Sequence, residues 1–429
     1  MINPNDLKVL RELAEWKALC AASAVNREKI DAWYAHDAGE ATGRVMVLAE
    51  VDYLQDKRGT ITEQDLQCVD PWARGVERGL RLLKYQVEVL KDDHVASPYI
   101  DFTPFVSCSD FGIPSGKRYE AGGAQDSFHY VAPLQTLDEA ELARLRHRTF
   151  TWDREAENAH RGRLESVFAG ILQPRRRTGP WQFHMPLTST AIEMVGLDNL
   201  MVLMYDNPQG LHRLMAFLRD DMVAYTQFLE HSGLLDANNE DDYVGAGSMG
   251  FTESLPNACS GDRLCARDRW YGMESQESVG ISPDQFGEFV FPYMKAISQQ
   301  YGRVYYGCCE PAHPILDYLK TLPNLARVSV SPWADELKVG DFCRQSGVVY
   351  SRKPTPNILS AEHFDENAQR AHLQATIEAA HGCRLEFIQR DVYTTNNQPE
   401  RFVRWVELVR EVAQKHTCSC RIVNQLPDC

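Results

Sequence analysis

The sequence predicts an α/β protein, a (β/α)8 TIM barrel with a helical and loop-rich N-terminal extension. Two patterns carry this. From about Arg163 onward, short apolar runs alternate with longer stretches of helical periodicity. In the second half, one apolar run after another stops at polar, reactive residues, and counted from Gly307 these stops recur after 24, 20 and 40 residues. Such spacing suits successive strand-helix units in a parallel sheet, and a barrel gathers the residues at its strand ends around one mouth.

Taken in order, Leu7 to Leu19 and Trp72 to Leu90 repeat apolar residues at helical spacing, and the first hundred residues read as helical. Asp92-Asp93-His94 follows the second helix and reads as a solvated helix end, with metal binding as the alternative. Phe102 to Tyr130, rich in Gly, Pro, Ser and Asp, reads as loops, and Leu137 to Asn158 as an exposed helical face. Val167 to Leu172 is a candidate strand, and Phe183 to Thr188 ends another. Asn207-Pro208 opens a helix from Gln209 to Leu229. Strands are then expected before Ser275, at Val304 to Tyr306, Val328 to Val330, Val348 to Tyr350 and Leu385 to Ile388, with helices between them. The expected division is 1–160 for the N-terminal region, 161–415 for the barrel and 416–429 for a C-terminal tail holding Cys418, Cys420 and Cys429.

The 429 residues are 44% hydrophobic and 24% charged, with a net charge of -15. That acidity argues against a nucleic-acid groove or an anionic membrane surface, since either needs a basic face. The start, Met1-Ile2-Asn3-Pro4-Asn5-Asp6, lacks the basic and apolar regions of a signal peptide, and no apolar run approaches the ~20 residues that span a bilayer. A cytoplasmic location without nucleic-acid or membrane partners is the expectation. There the 12 cysteines read as free thiols or metal ligands.

The candidate site begins at Tyr305-Tyr306-Gly307-Cys308-Cys309-Glu310-Pro311, where a buried strand hands over to a helix. A strand-end thiol serves as nucleophile or metal ligand. His313 is the nearest base in sequence for the first role. For the second, Cys308, Cys309, Glu310, Asp391 and Cys383 are the candidate ligands of a zinc ion, which favours sulfur, imidazole and carboxylate. Arg352 and Lys353 follow a wholly apolar strand and suit a carboxylate or phosphate on a small-molecule substrate; a structural ion pair of Arg352 with Asp335 or Asp391 is the alternative. Trp333 is either a cation-binding wall or core, and His184 either touches substrate or is a structural histidine. Gln276, Glu277 and Asp335 complete the substrate-facing candidates from their strand ends.

Ile281-Ser282-Pro283, Phe286 to Tyr293, the Gly-Cys-Cys-Glu-Pro run, Val328 to Asp335, Ser351 to Pro354 and Asp391 to Thr395 together resemble the uroporphyrinogen decarboxylase-like superfamily, over roughly Arg163 to Ala413. The resemblance implies a TIM barrel and one of two chemistries, tetrapyrrole decarboxylation or zinc-dependent methyl transfer with a corrinoid protein. The arginine-rich start of the decarboxylases is missing before Asp101. The His-x-Cys pair of the methyltransferases is replaced by Tyr306-Gly307-Cys308 or Gly307-Cys308-Cys309, with Asp391 near the position of the last-strand ligand. The expected activity is therefore that of a methyltransferase or demethylase moving a methyl group between a small substrate or thiol and a corrinoid of the cobalamin type held by a partner protein. Glu310, Asp391 and Arg352 would be its catalytic residues. The alternatives are a metal-independent decarboxylase, with Asp391 stabilising a protonated intermediate and Arg352 holding a carboxylate, and a non-catalytic cofactor-binding barrel. Oligomeric state stays open, with a homodimer among the options.

Overall fold

The computed structural model describes residues 2–40, 44–119, 128–178, 186–256 and 263–423. Its main sheet has six parallel strands: β1 (Met46–Ala49), β2 (Trp270–Met273), β3 (Arg303–Tyr306), β4 (Leu325–Val330), β5 (Val349–Arg352) and β6 (Leu385–Gln389). They lie in the order β1-β6-β5-β4-β3-β2. The expected closed ring of eight is not what these pairings give; among the described residues the sheet ends at β1 and β2. Every residue of β1, β2, β5 and β6 is buried, as expected of parallel strands covered on both faces.

Register fixes what matters for the site. Ala49 lies opposite Gln389, Arg352 opposite Phe387, Val330 opposite Arg352, and Tyr306 opposite both Val328 and Met273. The residues just after the strands, Glu50, Glu274, Gly307, Ser331, Lys353 and Arg390, therefore emerge along one carboxyl-terminal edge.

Helices join the strands. Asp335 caps the helix Glu336–Ser346 between β4 and β5 by accepting from the Lys338 N–H, and Asp365 caps Glu366–Ala379 between β5 and β6. The last helix, Glu400–Val423, packs against β1 and extends through most of the expected tail.

Several expectations on the N-terminal side need correction. Met46–Ala49, in a stretch read as helical, is a sheet strand, so the main sheet draws on both sides of residue 160. Val167 and Phe168 end the helix Arg154–Phe168 instead of forming a strand; Gln173–Arg176 is the strand, paired with Tyr99–Phe102. Val106–Cys108, in the expected loop stretch, and Phe150–Trp152, in the expected helical face, are short paired strands. These segments are too short and too polar to show a clear period of two.

Beneath the sheet, opposite the carboxyl-terminal edge, the helices Pro4–Ala21 and Ala24–Ala38 bring Asp37 to Arg303 (2.7 Å) and Arg327 (3.2 Å). Arg327 also faces Glu386 at 3.5 Å, and Glu386 faces His36 at 4.0 Å. Burial drives the His36 pKa down to about 4. No single helix among the described residues is long and apolar enough to cross a membrane.

Candidate functional site

The turn after β3 is pinned from several sides. Gly307 has φ +99°, a conformation that L side chains rarely adopt, and a Cβ there would sit 3.0 Å from the Ser329 side chain. Its N–H donates to the Met273 carbonyl (2.8 Å), and the Ser329 hydroxyl donates to the Cys308 carbonyl (2.9 Å). Buried Glu310 accepts from the Ser275 N–H through Oε1 and from the Cys308 N–H through Oε2, each at 2.9 Å. Desolvation raises its pKa, and the backbone donors oppose that shift.

This turn sets Cys308 and Cys309 with their sulfurs 3.6 Å apart. The hydrogen bond between them favours Cys309 as the thiolate and keeps Cys308 protonated. Each thiol opens onto a different cavity. Cys309 lines one of about 590 Å³ together with Gln276, Glu277, Val279, Glu310, Pro311 and Trp333. Cys308 lines one of about 420 Å³ with Glu50, Asp52, Tyr53, Tyr243, Gly247 and Arg390 among its walls.

In the first cavity Trp333 is 70% exposed, which makes it wall and not core. Glu277 accepts from the Thr188 hydroxyl (2.8 Å). Behind Gln276, whose N–H it accepts, Glu274 has its pKa raised to about 9 by desolvation and by Glu277 and Glu310. It is therefore a protonated acid at neutral pH.

In the second cavity, Arg390 lies 3.7 Å from Glu50 and 3.3 Å from Asp391, and donates to the Tyr53 hydroxyl (3.3 Å). Burial opposes its charge, but the two carboxylates hold its pKa up. Gly247 lets Glu50 approach: a Cβ there would meet Glu50 Oε1 at 2.2 Å. Tyr243 bonds His94 Nε2 through its hydroxyl (2.8 Å), and His94 Nδ1 bonds Asp92 (2.8 Å).

The expected residues fall into two groups. Cys308, Cys309, Glu310, Gln276, Glu277 and Trp333 come together, and Asp391 is close enough for its charge to raise the Cys309 pKa. Arg352 does not join them. It is buried, donates to the Val330 and Ser331 carbonyls, and pairs with Glu336 at 2.6 Å: a structural ion pair, although with neither of the acids expected. Lys353 is buried too and donates to the Tyr305 hydroxyl (2.6 Å). Desolvation takes its pKa down to about 7. Asp335 is a helix cap, and His313 accepts from its backbone N–H instead of facing a thiol.

The zinc ligand set is not assembled. Cys383 precedes β6 whereas Asp391 follows it, roughly 20 Å away along the strand, and the Cys383 thiol bonds the Gly340 carbonyl. Both Glu310 oxygens are engaged by backbone N–H groups. Among the described residues no group of three or more His, Cys, Asp or Glu could hold a metal ion. His184 lies outside the described residues.

Sequence reasoning missed Glu274, Glu50, Arg390 and Tyr243. The first is the residue immediately after the apolar run Trp270-Tyr271-Gly272-Met273, two positions before the candidate Gln276. Asp92-Asp93-His94, expected to be solvated, is buried: Asp93 accepts from the Val47 N–H (2.8 Å) and Asp92 from the Ala49 N–H (3.0 Å), so the motif clamps β1.

No family model matches the chain, and no curated protein matches it in sequence. Among solved structures, it is similar to a methyltransferase from Methanosarcina mazei, with a TM-score of 0.48 and 10% identity, over 91% of this chain and 99% of that one. A likeness that distant says nothing of substrate, metal or cofactor. The resemblance to the uroporphyrinogen decarboxylase-like superfamily rests on the sequence runs named above.

Proposed function

We propose that the protein is a methyl-transferring enzyme of the uroporphyrinogen decarboxylase-like superfamily, drawing a small cationic or neutral methyl donor into the cavity beside Cys309. The observation that carries this reading is the make-up of that cavity's wall. Among the described residues it has the Glu277 and Glu310 carboxylates, one exposed indole and no Arg or Lys, while Arg352 is engaged by Glu336. An aromatic face beside an acid suits an onium or other methyl-bearing head group and disfavours a polycarboxylate.

Trp333 would take the methyl-bearing group against its ring and Glu277 would offset its positive charge. A corrinoid of the cobalamin type on a partner protein is the acceptor that the resemblance implies, and when bound it supplies the nucleophile. The exposure of Cys309 and Trp333 leaves the opening accessible to such a partner. Zinc has no step in this reading, because Cys383 lies apart from the other candidate ligands and both Glu310 oxygens are held by backbone N–H groups.

Decarboxylation keeps one supporting observation: Arg390 lines the second cavity, where a carboxylate could pair with it. The two readings separate in one experiment. Purified protein is mixed with cob(I)alamin and a panel of methyl-ammonium, methyl-thioether and methoxyaryl donors, and methylcobalamin is followed by absorbance. Methyl transfer from at least one donor, slowed in Trp333→Ala through KM, is the expected result. Release of carbon dioxide from a carboxylated substrate, without methyl transfer, overturns it.

A further inference from the structure

We propose that Cys308 and Cys309 form a preorganised two-thiol clamp for a monosubstituted trivalent arsenical, a ligand with two bonds to give to sulfur and one organic substituent to place in the cavity under Trp333. This goes beyond the methyl-transfer reading and does not depend on it.

The spacing decides between the uses that a thiol pair can have. A disulfide bond is ~2.05 Å long, so the sulfurs, now 3.6 Å apart, would have to close by ~1.5 Å. The turn that holds them is tied by Glu310 to two backbone N–H groups, by Ser329 to the Cys308 carbonyl and by Gly307 to Met273, which resists that closure. A tetrahedral metal needs a third and fourth ligand, and both Glu310 oxygens are already engaged. A pyramidal trivalent centre bonded to both sulfurs leaves them unbonded to each other and in contact, as they already stand. The observed separation suits that arrangement without closure.

The rest of the pocket suits the product. Cys309 is exposed and sits beside Trp333, Pro311 and Val279, an apolar patch in a cavity of about 590 Å³ that can take an aryl or alkyl substituent. The reaction is a condensation without change of oxidation state: R-As(OH)2 and two thiols give R-As(S-Cys)2 and two waters. Two S–H and two As–O bonds break, two As–S bonds and the two O–H bonds of the waters form, and arsenic stays trivalent. The product is neutral, so the carboxylates nearby do not oppose it. Glu310 is a positioning residue: it fixes the turn and touches no ligand.

The test uses the full chain and phenylarsine oxide as the probe, with intact-mass detection. One equivalent should add with loss of one water per oxide, survive excess 2-mercaptoethanol and come off with 2,3-dimercaptopropanol. Cys308→Ser and Cys309→Ser should each weaken capture by about 100-fold or more, since the second bond loses its intramolecular advantage. Glu310→Gln keeps both thiols and should weaken it about tenfold by loosening the turn. Cys343→Ser removes a thiol from a second neighbouring pair among the described residues, Cys343 with Cys383, and should change nothing. Should a serine variant fail to fold, the unaltered chain still decides the matter: the probe should protect Cys308 and Cys309 from alkylation, as read by peptide mass spectrometry. The proposal is overturned if the adduct persists in both single variants, if the monothiol strips it as readily as the dithiol, if the probe leaves both thiols open to alkylation, or if only Cys343→Ser abolishes it.

Discussion

The two cavities that meet at the cysteine pair differ in how their charges are answered. On the Cys309 side, Glu277 and Glu310 stand beside an indole with no basic lining residue among those described, and buried Glu274 behind them keeps its proton through desolvation and their charge. On the Cys308 side, Glu50 and Asp391 flank Arg390, and the phenol of Tyr243 leads through His94 to Asp92. Desolvation raises the pKa of Glu50 as it does that of Glu274, but Glu50 has the Arg390 guanidinium beside it to oppose the shift. One turn thus separates a site fit for neutral or cationic ligands from one fit for proton traffic or an anion.

The sharpest way to break the contrast is to remove what holds the turn between the two sides. Glu310→Ala leaves the Ser275 and Cys308 N–H groups buried without acceptors, and is expected to cost roughly 2–5 kcal/mol in urea denaturation. It should also abolish the difference in alkylation rate between the two thiols. An unchanged midpoint would mean that the cavities are held apart by other contacts.

The next largest effects are pH slopes of opposite sign. Lys353 has a folded pKa of about 7 against an unfolded value near 10.5, so the unfolded chain binds more protons between them and stability rises with pH across that window. Glu274, raised to about 9, binds its proton more tightly when folded, so its contribution is full below about 4.5 and is lost as pH climbs to 9. Each slope approaches ~1.4 kcal/mol per pH unit at most. Lys353→Met should remove the rise and Glu274→Gln the fall, as read from denaturation series between pH 5 and 10. A variant curve parallel to the parent's would remove that group from the comparison.

Smaller effects test each side alone. Tyr243→Phe deletes one hydrogen bond to His94, at about 1 kcal/mol of stability, and should leave Cys309 reactivity unaltered. Trp333→Ala, on an exposed ring, should leave stability within ~0.5 kcal/mol. It should weaken an onium ligand several-fold, as expected of a contact worth ~0.5–1 kcal/mol.

How legible was this in the chain? The strands of the second half were, because their apolar runs are continuous and each ends abruptly; β3 and β6 fall within a residue or two of where periodicity puts them. β1 was not, since four apolar residues between helical stretches look like part of a helix. That Cys308, Cys309, Glu310, Glu277 and Trp333 lie together was legible because each follows a strand end. Arg352 was misplaced by one step of geometry. It is the last residue of β5 and not the first beyond it, and that turns its side chain toward Glu336. Asp92 and His94 were missed because hydrogen bonds to a strand from a distant segment leave no period in the sequence.

The charged cluster beneath the sheet bears on how the molecule can be cut. Asp37, on the second helix, is a counter-ion to two guanidinium groups rooted in β3 and β4, and its neighbour His36 lies against the buried Glu386. A shortened chain beginning after residue 40 would take from Arg303 its carboxylate partner and leave Arg327 with Glu386 alone. The opening helices thus supply counter-charge to the sheet, and the strands are electrically incomplete without them.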